Sequence, residues 1–298
     1  MATIFWALAP DFLLILLGGL LTGLVPRAAW SGIDRLNYVA LFPALLFVST
    51  SRRALPPDAL ATMGLGAAGV LVAGLVLGGL AWPLARGTRL DFAAQWQTAW
   101  RFNTALGFVA LAALPEAASV SMAVVIGISV PLSNALAVLV LARGGGHSAG
   151  RALLGVARNP FLLASLAGLT VALLGWRVPA VIEASLSRVG MASIPVALLS
   201  VGAALNWRGL LVPTREGVAI LAVKLAALPL VALTLAWALD MDPMQRAVLV
   251  TFAALPTATA GVVLARAFGA DTTRTATLIA QSTLIAAVTL PAWMGLVL

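Results

Sequence analysis

The chain has no cysteine and only one histidine in 298 residues. Disulfides, thiolate chemistry and cysteine-based metal sites are therefore excluded. His147 lies in the glycine-rich stretch Arg143-Gly-Gly-Gly-His147-Ser and reads as a solvated loop residue. Charge is scarce too. Asp, Glu, Lys and Arg make up 9% of the chain against 62% hydrophobic residues, where a soluble domain carries about 25% charged residues. Most of the chain cannot face water. The acids are Asp11, Asp34, Asp58, Asp91, Glu116, Glu183, Glu216, Asp240, Asp242 and Asp271. Nearly all fall between apolar runs, and no two stand together inside one. HExxH, GxSxG and a Walker glycine loop with lysine are all missing. The parts for nucleophilic or general-base catalysis are not present, so no enzyme is expected, and no cofactor or metal. The period-two alternation of an outer-membrane barrel is also lacking. The first apolar run has neither a basic start nor a small-residue cleavage site, so no cleavable signal peptide is expected.

What the chain does contain is apolar runs of about 20 residues, the length a bilayer sets for a helix. Ten follow one another at 4–25, 36–50, 61–85, 96–114, 118–142, 160–176, 186–206, 217–239, 246–268 and 275–297. The expected fold is an all-α polytopic membrane protein. The net charge of +8 then reports topology rather than nucleic-acid binding. Loops after odd-numbered segments hold eleven basic residues: Arg27, Arg35, Arg86, Arg89, Arg143, Arg151, Arg158, Arg208, Arg215, Arg266 and Arg274. Loops after even-numbered segments hold five: Arg52, Arg53, Arg177, Arg188 and Arg246. The positive-inside rule puts the odd loops in the cytoplasm and both termini outside. A multi-pass protein of the plasma (bacterial inner) membrane is expected.

The longest break divides the segments five against five, giving a first repeat at 1–142, a short cytoplasmic linker at 143–158 and a second repeat at 159–298. Pro10-to-Gly18 matches Pro160-to-Gly168 at an offset of 150, and Phe42-Pro-Ala-Leu-Leu matches Ile194-Pro-Val-Ala-Leu-Leu at 152. The second offset carries Thr104 onto Pro256. With five segments per half, the second half enters the membrane inverted, a construction used by secondary transporters that bind substrate at the midplane where discontinuous helices meet.

Proline removes a helix hydrogen bond, and Pro43, Pro195, Pro229 and Pro256 all fall inside apolar segments. A simple kink accounts equally well for Pro43 and Pro229. Pro256 is the better break, because Leu255-Pro-Thr257-Ala-Thr259-Ala-Gly261 adds two threonines and a glycine. In segment 4, Gln95-Trp-Gln-Thr-Ala-Trp-Arg101-Phe-Asn103-Thr104 places an arginine within an apolar run. Such a residue is rarely idle; Arg101 either snorkels to the interface or faces a watery cavity and attracts an anion. Asn103 and Thr104 would lie opposite Pro256 and Thr257, where broken helix ends offer N–H groups to a carboxylate. Thr259, Ser49 and Gln281 are further candidates for the substrate site, although interhelical hydrogen bonding explains Ser49, Gln281, Ser282 and Thr283 equally well. Lys224 is expected to snorkel, and Asp11, after Pro10, to cap a helix. Gly19/Gly23 and Gly74/Gly78 fit GxxxG, a close-packing signal.

Leu41-Phe-Pro-Ala-Leu-Leu-Phe47, Phe102-Asn-Thr104, Arg158-Asn-Pro160, Ile194-to-Leu205, Ala254-Leu-Pro-Thr257 with Leu264-Ala265, and Gln281-Ser-Thr-Leu-Ile occur in this order over essentially the whole chain. That ordered set resembles the auxin efflux carrier family, which includes malonate-permease-like bacterial proteins. The resemblance implies a fold like the bile-acid/sodium symporters: a five-plus-five inverted repeat with crossed, interrupted helices 4 and 9. It also implies scaffold and transport domains, elevator-type alternating access and a homodimer. Asn103 and Pro256 match the family's crossover positions. Ala105 and Ala110 stand where the family has a glycine and then a proline, so the first break is expected to be less sharp.

The leading expectation is an exporter or uniporter of a small organic anion, a carboxylate. The alternatives are a sodium- or proton-coupled symporter of an amphipathic substrate and a non-transporting membrane receptor or scaffold. The partners are then the anion, the lipid bilayer and, in the symporter reading, a coupling ion. No nucleic-acid partner is expected.

Overall fold

The computed structural model describes residues 2–52, 57–111, 114, 118–148, 154, 157–204, 210 and 213–298. Among the described residues every regular element is helical. Helix α1 is Ala2–Leu21. Helix α2 runs Arg27–Leu36, passes through a π-helical turn at Asn37–Leu41 and continues as Phe42–Ser51. Helices α3 (Pro57–Gly79), α4 (Arg89–Trp96), α5 (Thr104–Leu111), α6 (Ala118–Gly144) and α7 (Pro160–Leu173) follow. Helix α8 comprises Ala180–Met191 and Ser193–Ala204, and α9 runs Arg215–Ala222, a π-helical turn at Val223–Ala227, and Leu228–Ala238. Helices α10 (Pro243–Ala254), α11 (Ala260–Ala267) and α12 (Thr273–Val297) complete the chain. Six described stretches are long and apolar enough to cross a membrane: Ala28–Ser51, Ala61–Leu84, Val124–Gly144, Ala180–Ala203, Arg215–Ala238 and Thr273–Val297.

Two starts lie well ahead of the hydropathy pattern. Helix α2 begins at Arg27, not at residue 36, because its first turns are charged on one face. One of those charges, Asp34, is buried and ion-paired with Arg266 on α11. Helix α4 begins at Arg89, set by a capping box in which Thr88 Oγ accepts from the Asp91 amide at 3.1 Å and Asp91 accepts from the Thr88 amide at 3.1 Å. Such a box satisfies amides that have no intrahelical partner. Most of the expected central linker, 143–158, lies outside the described residues.

Pro43 and Pro229 do not break their helices. Each is preceded by a π-helical turn, Asn37–Leu41 and Val223–Ala227. The proline ring rejects the carbonyl four residues back, and the ladder widens by one residue there instead of ending.

Glycines fix the tightest contacts. Helix α1 packs along the second half of α8, and the second half of α2 along α7. A Cβ on Gly18 would strike the Leu199 carbonyl, and one on Gly202 the Ile15 carbonyl. A Cβ on Gly168 would strike Thr50 and the Phe47 carbonyl. Gly74 and Gly78 lie against Trp100 and Ala99, as their GxxxG spacing suggests, whereas Gly23 has open space around it. The Gly18–Leu199 and Gly168–Phe47 contacts are related by offsets of 150 and 152, the same two that relate the sequence halves.

Backbone atoms cannot move aside as side chains can. Gly18→Ala and Gly168→Ala are each expected to cost about 1–3 kcal/mol, the usual penalty of overpacking. In a thermal melt of detergent-purified protein both should unfold early, while Gly295→Ala, with nothing within 4 Å of the added methyl, should melt like wild type.

Candidate functional site

Two helices stop and restart at the same place. After α4 a single 3₁₀ turn, Gln97–Ala99, leads to four non-helical residues, Trp100, Arg101, Phe102 and Asn103, before α5. After α10 the chain is non-helical from Leu255 to Thr259 before α11. Pro256 has no N–H and cannot extend α10. The two gaps are joined directly: the Asn103 amide donates to the Pro256 carbonyl at 2.9 Å. Asn103 also caps α5, its Oδ1 accepting from the Leu106 amide at 3.2 Å.

The first break is complete, although no proline stands in it, which corrects the expectation drawn from Ala105 and Ala110. Tertiary bonds replace the missing ladder. Gln97 Nε2 reaches across to the Gly261 carbonyl at 3.1 Å, and the Thr257 amide donates to Ser282 Oγ at 3.3 Å.

A cavity of about 60 Å³ opens beside the joined gaps, lined by Arg101, Phe102, Asn103, Thr104, Ser133, Asn134 and Thr259, with Phe42, Leu46 and Ile194 among its apolar walls. Arg101 is 4% exposed and does not snorkel. Its Nη2 donates to Asn134 Oδ1 at 2.9 Å; Asn134 Nδ2 donates to Ser165 Oγ at 3.3 Å, and Ser165 to the Phe161 carbonyl at 2.6 Å. This relay through α6 and α7 aims the guanidinium. Its Nε and Nη1 have no hydrogen-bond partner among the described residues. Among the described residues no carboxylate pairs with it, and a buried guanidinium with free donors has the chemistry to receive an anion.

Of the other expected site residues, Pro256 supplies the carbonyl that joins the gaps. Thr257 is buried beside it, its hydroxyl without a hydrogen-bond partner among the described residues. Ser49 and Gln281 are not brought to this cavity. Ser49 donates to the Leu46 carbonyl at 3.1 Å and lines a separate space of about 320 Å³ with Arg52 and Ser187. Gln281 donates to the Leu210 carbonyl at 2.8 Å.

Lys224 is the residue that the sequence reading missed. It does not snorkel: it is 1% exposed, has no hydrogen-bond partner among the described residues, and holds Nζ 3.2 Å above the centre of the Phe102 ring. Phe102 packs in turn on Phe252, ring centres 4.3 Å apart. Pro229 was the available signal. Proline widens the preceding turn, and Lys224 sits in that turn, a kind of irregularity frequent at functional sites.

A buried cation that no acid offsets is destabilising. Lys224→Met, which keeps the stem and removes the charge, is expected to raise the melting temperature of the ligand-free protein. A fall instead would mean that the ring contact outweighs the desolvation cost.

Residues 147–294 match the family described as membrane transport protein. Over 199 residues the chain is 31% identical to a Rhizobium meliloti (strain 1021) protein named "Putative malonate transporter", a stretch covering 63% of this chain and 61% of that relative's length. The interrupted helices and their cavity therefore sit in a chain whose second half is similar to the membrane transport protein family and which spans about three fifths of the length of the relative it matches.

Proposed function

We propose that the protein is a secondary transporter of a small carboxylate, which binds in the cavity between the two interrupted helices. The observation that carries this reading is the Arg101 guanidinium, buried in that cavity with two nitrogens unpartnered. Asn103, Thr104 and Thr259 are neutral hydrogen-bonding groups that line the same cavity, Thr257 follows Pro256 at its edge in the sequence, and the relative's name makes malonate the first acid to try.

The architecture proposed with it has ten crossings in two inverted halves, 1–142 and 159–298, with the odd-numbered loops and the 143–158 linker in the cytoplasm and both termini outside. The crossings are α1, α2, α3, the α4–α5 pair, α6, α7, α8, α9, the α10–α11 pair and α12. The glycine contacts related by the repeat offsets support the halves, and the bond between Asn103 and Pro256 supports crossed helices 4 and 9. For the mechanism we favour an elevator. Helices α1, α2, α7 and α8 pack on one another in pairs, while α3 packs on α6, α9 on α10 and α3 on α9. The first group would form a scaffold and a homodimer contact, and the second would move. The inside-negative potential acts on each charge with about 2.3 kcal/mol per 100 mV, so export of an anion runs downhill without a coupling ion. Export or uniport therefore fits this site better than coupled uptake.

Counterflow in proteoliposomes tests the reading, with malonate, malate, succinate, acetate and indole-3-acetate compared. Wild type should exchange at least one of these acids. Arg101→Gln should slow that exchange about ten- to a hundred-fold, the worth of ~1.5–3 kcal/mol for hydrogen bonds to a charged group, and Asn103→Ala should slow it as well. No exchange of any acid by folded wild-type protein would remove the carboxylate assignment.

A further inference from the structure

A much larger cleft lies elsewhere, at one end of the bundle. It measures about 880 Å³ and opens where the chain leaves α3, enters α4 and ends α6. Its wall is aromatic. Trp82 meets Phe92 edge-on with ring centres 4.9 Å apart, and Phe92 stacks on Trp96 at 5.6 Å. Trp96 is fixed by its indole N–H, which donates to the Leu75 carbonyl at 2.8 Å. Gly79 leaves room for this ring, since a Cβ there would stand 3.0 Å from it.

The rim carries two exposed arginines, Arg89 and Arg143. Among the described residues neither guanidinium has an ion pair or a hydrogen bond. The nearby acids are engaged elsewhere. Asp91 caps α4 and accepts from the Asp271 amide at 3.0 Å, and Glu216 pairs with Arg274 at 3.8 Å.

An apolar slot with two free cations at its mouth suits a molecule that is apolar along its length and anionic at one end. Trp82, 45% exposed at the end of a membrane-length helix, has the amphipathic ring favoured at headgroup level. Basic pockets between membrane helices on the cytoplasmic side bind anionic headgroups. A free phosphate or a small acid would leave the aromatic wall unoccupied. We infer that this cleft binds one anionic glycerophospholipid, its phosphate between Arg89 and Arg143 and an acyl chain along Phe92 and Trp96. This site is separate from the cavity at Arg101 and does not depend on what that cavity carries. Its occupant would brace α4, the first half of an interrupted helix.

Native mass spectrometry of the full chain, released from nanodiscs of phosphatidylcholine with added phosphatidylglycerol, tests the inference. Wild type should retain one phosphatidylglycerol in preference to phosphatidylcholine. Arg89→Gln with Arg143→Gln should cut that retention at least ten-fold. Leu139→Trp, which fills the slot and keeps both arginines, should cut it as well, each variant being first shown to be folded by circular dichroism. Equal retention of the two lipids, or unchanged retention in the double variant, would overturn the site. So would loss in the charge variant alone with Leu139→Trp unaffected, because surface charge would then suffice. Displacement of the lipid by inorganic phosphate at millimolar concentration would also overturn it, making this an ion site and not a lipid site.

Discussion

The hydrogen bond from the Asn103 amide to the Pro256 carbonyl sets the plan of the molecule's centre. Inside a bilayer an unpaired amide or carbonyl costs several kcal/mol, so interrupted helices survive only where other groups take over their backbone bonds. Here each gap repairs the other. Asn103 also caps α5, Gln97 reaches the Gly261 carbonyl and Ser282 accepts from the Thr257 amide. The neighbouring helices are shaped by the same demand. Gly74 and Gly78 let α3 approach Trp100 and Ala99, and Asn134 on α6 receives the arginine that the first gap turns inward.

The distribution of buried charge is one-sided. Among the described residues the buried acids are Asp34 and Glu216, and both have a basic partner, Arg266 and Arg274. The buried bases are Arg101 and Lys224, and neither has an acid. Arg101 rests on an amide and Lys224 on an aromatic face. Both are partial substitutes for a counter-ion, since neither supplies a negative charge. The described core therefore holds two basic side chains without an acid partner, and one of them, Arg101, lines the cavity. That imbalance is the physical ground for proposing an anionic ligand.

Much of this was legible in the sequence because membranes simplify the code. Length and apolarity marked the helices, and Pro256 with its threonines marked the second gap. Asn103 stood out as an amide in an apolar run. The starts of α2 and α4 were hidden, since Asp34 and Arg89 are charges that hydropathy assigns to loops, while tertiary pairing and a capping box hold them in helices. The sharpness of the first gap was hidden as well, because its cause lies in contacts from α6 and α11 rather than in local sequence. Lys224 was misjudged for the same reason. A lysine seven residues past the start of its apolar segment can reach water or turn inward, and only the π-helical turn before Pro229 and the position of Phe102 decide between them. Ser49 and Gln281 were chosen for polarity alone, and both spend their hydrogen bonds on nearby carbonyls away from the cavity.

The central claim is that charge, not shape, selects the ligand at Arg101. It is tested most directly by comparing thermal stabilisation of purified protein by malonate and by malonamide, its neutral isostere. A ligand at a hundred times its Kd adds about 2.7 kcal/mol to the folded state, a readily measured rise in melting temperature. The account predicts that malonate raises the melting temperature of wild type but not of Arg101→Gln, and that malonamide raises neither. Equal stabilisation by the two compounds, or full retention of the malonate effect in Arg101→Gln, would contradict it.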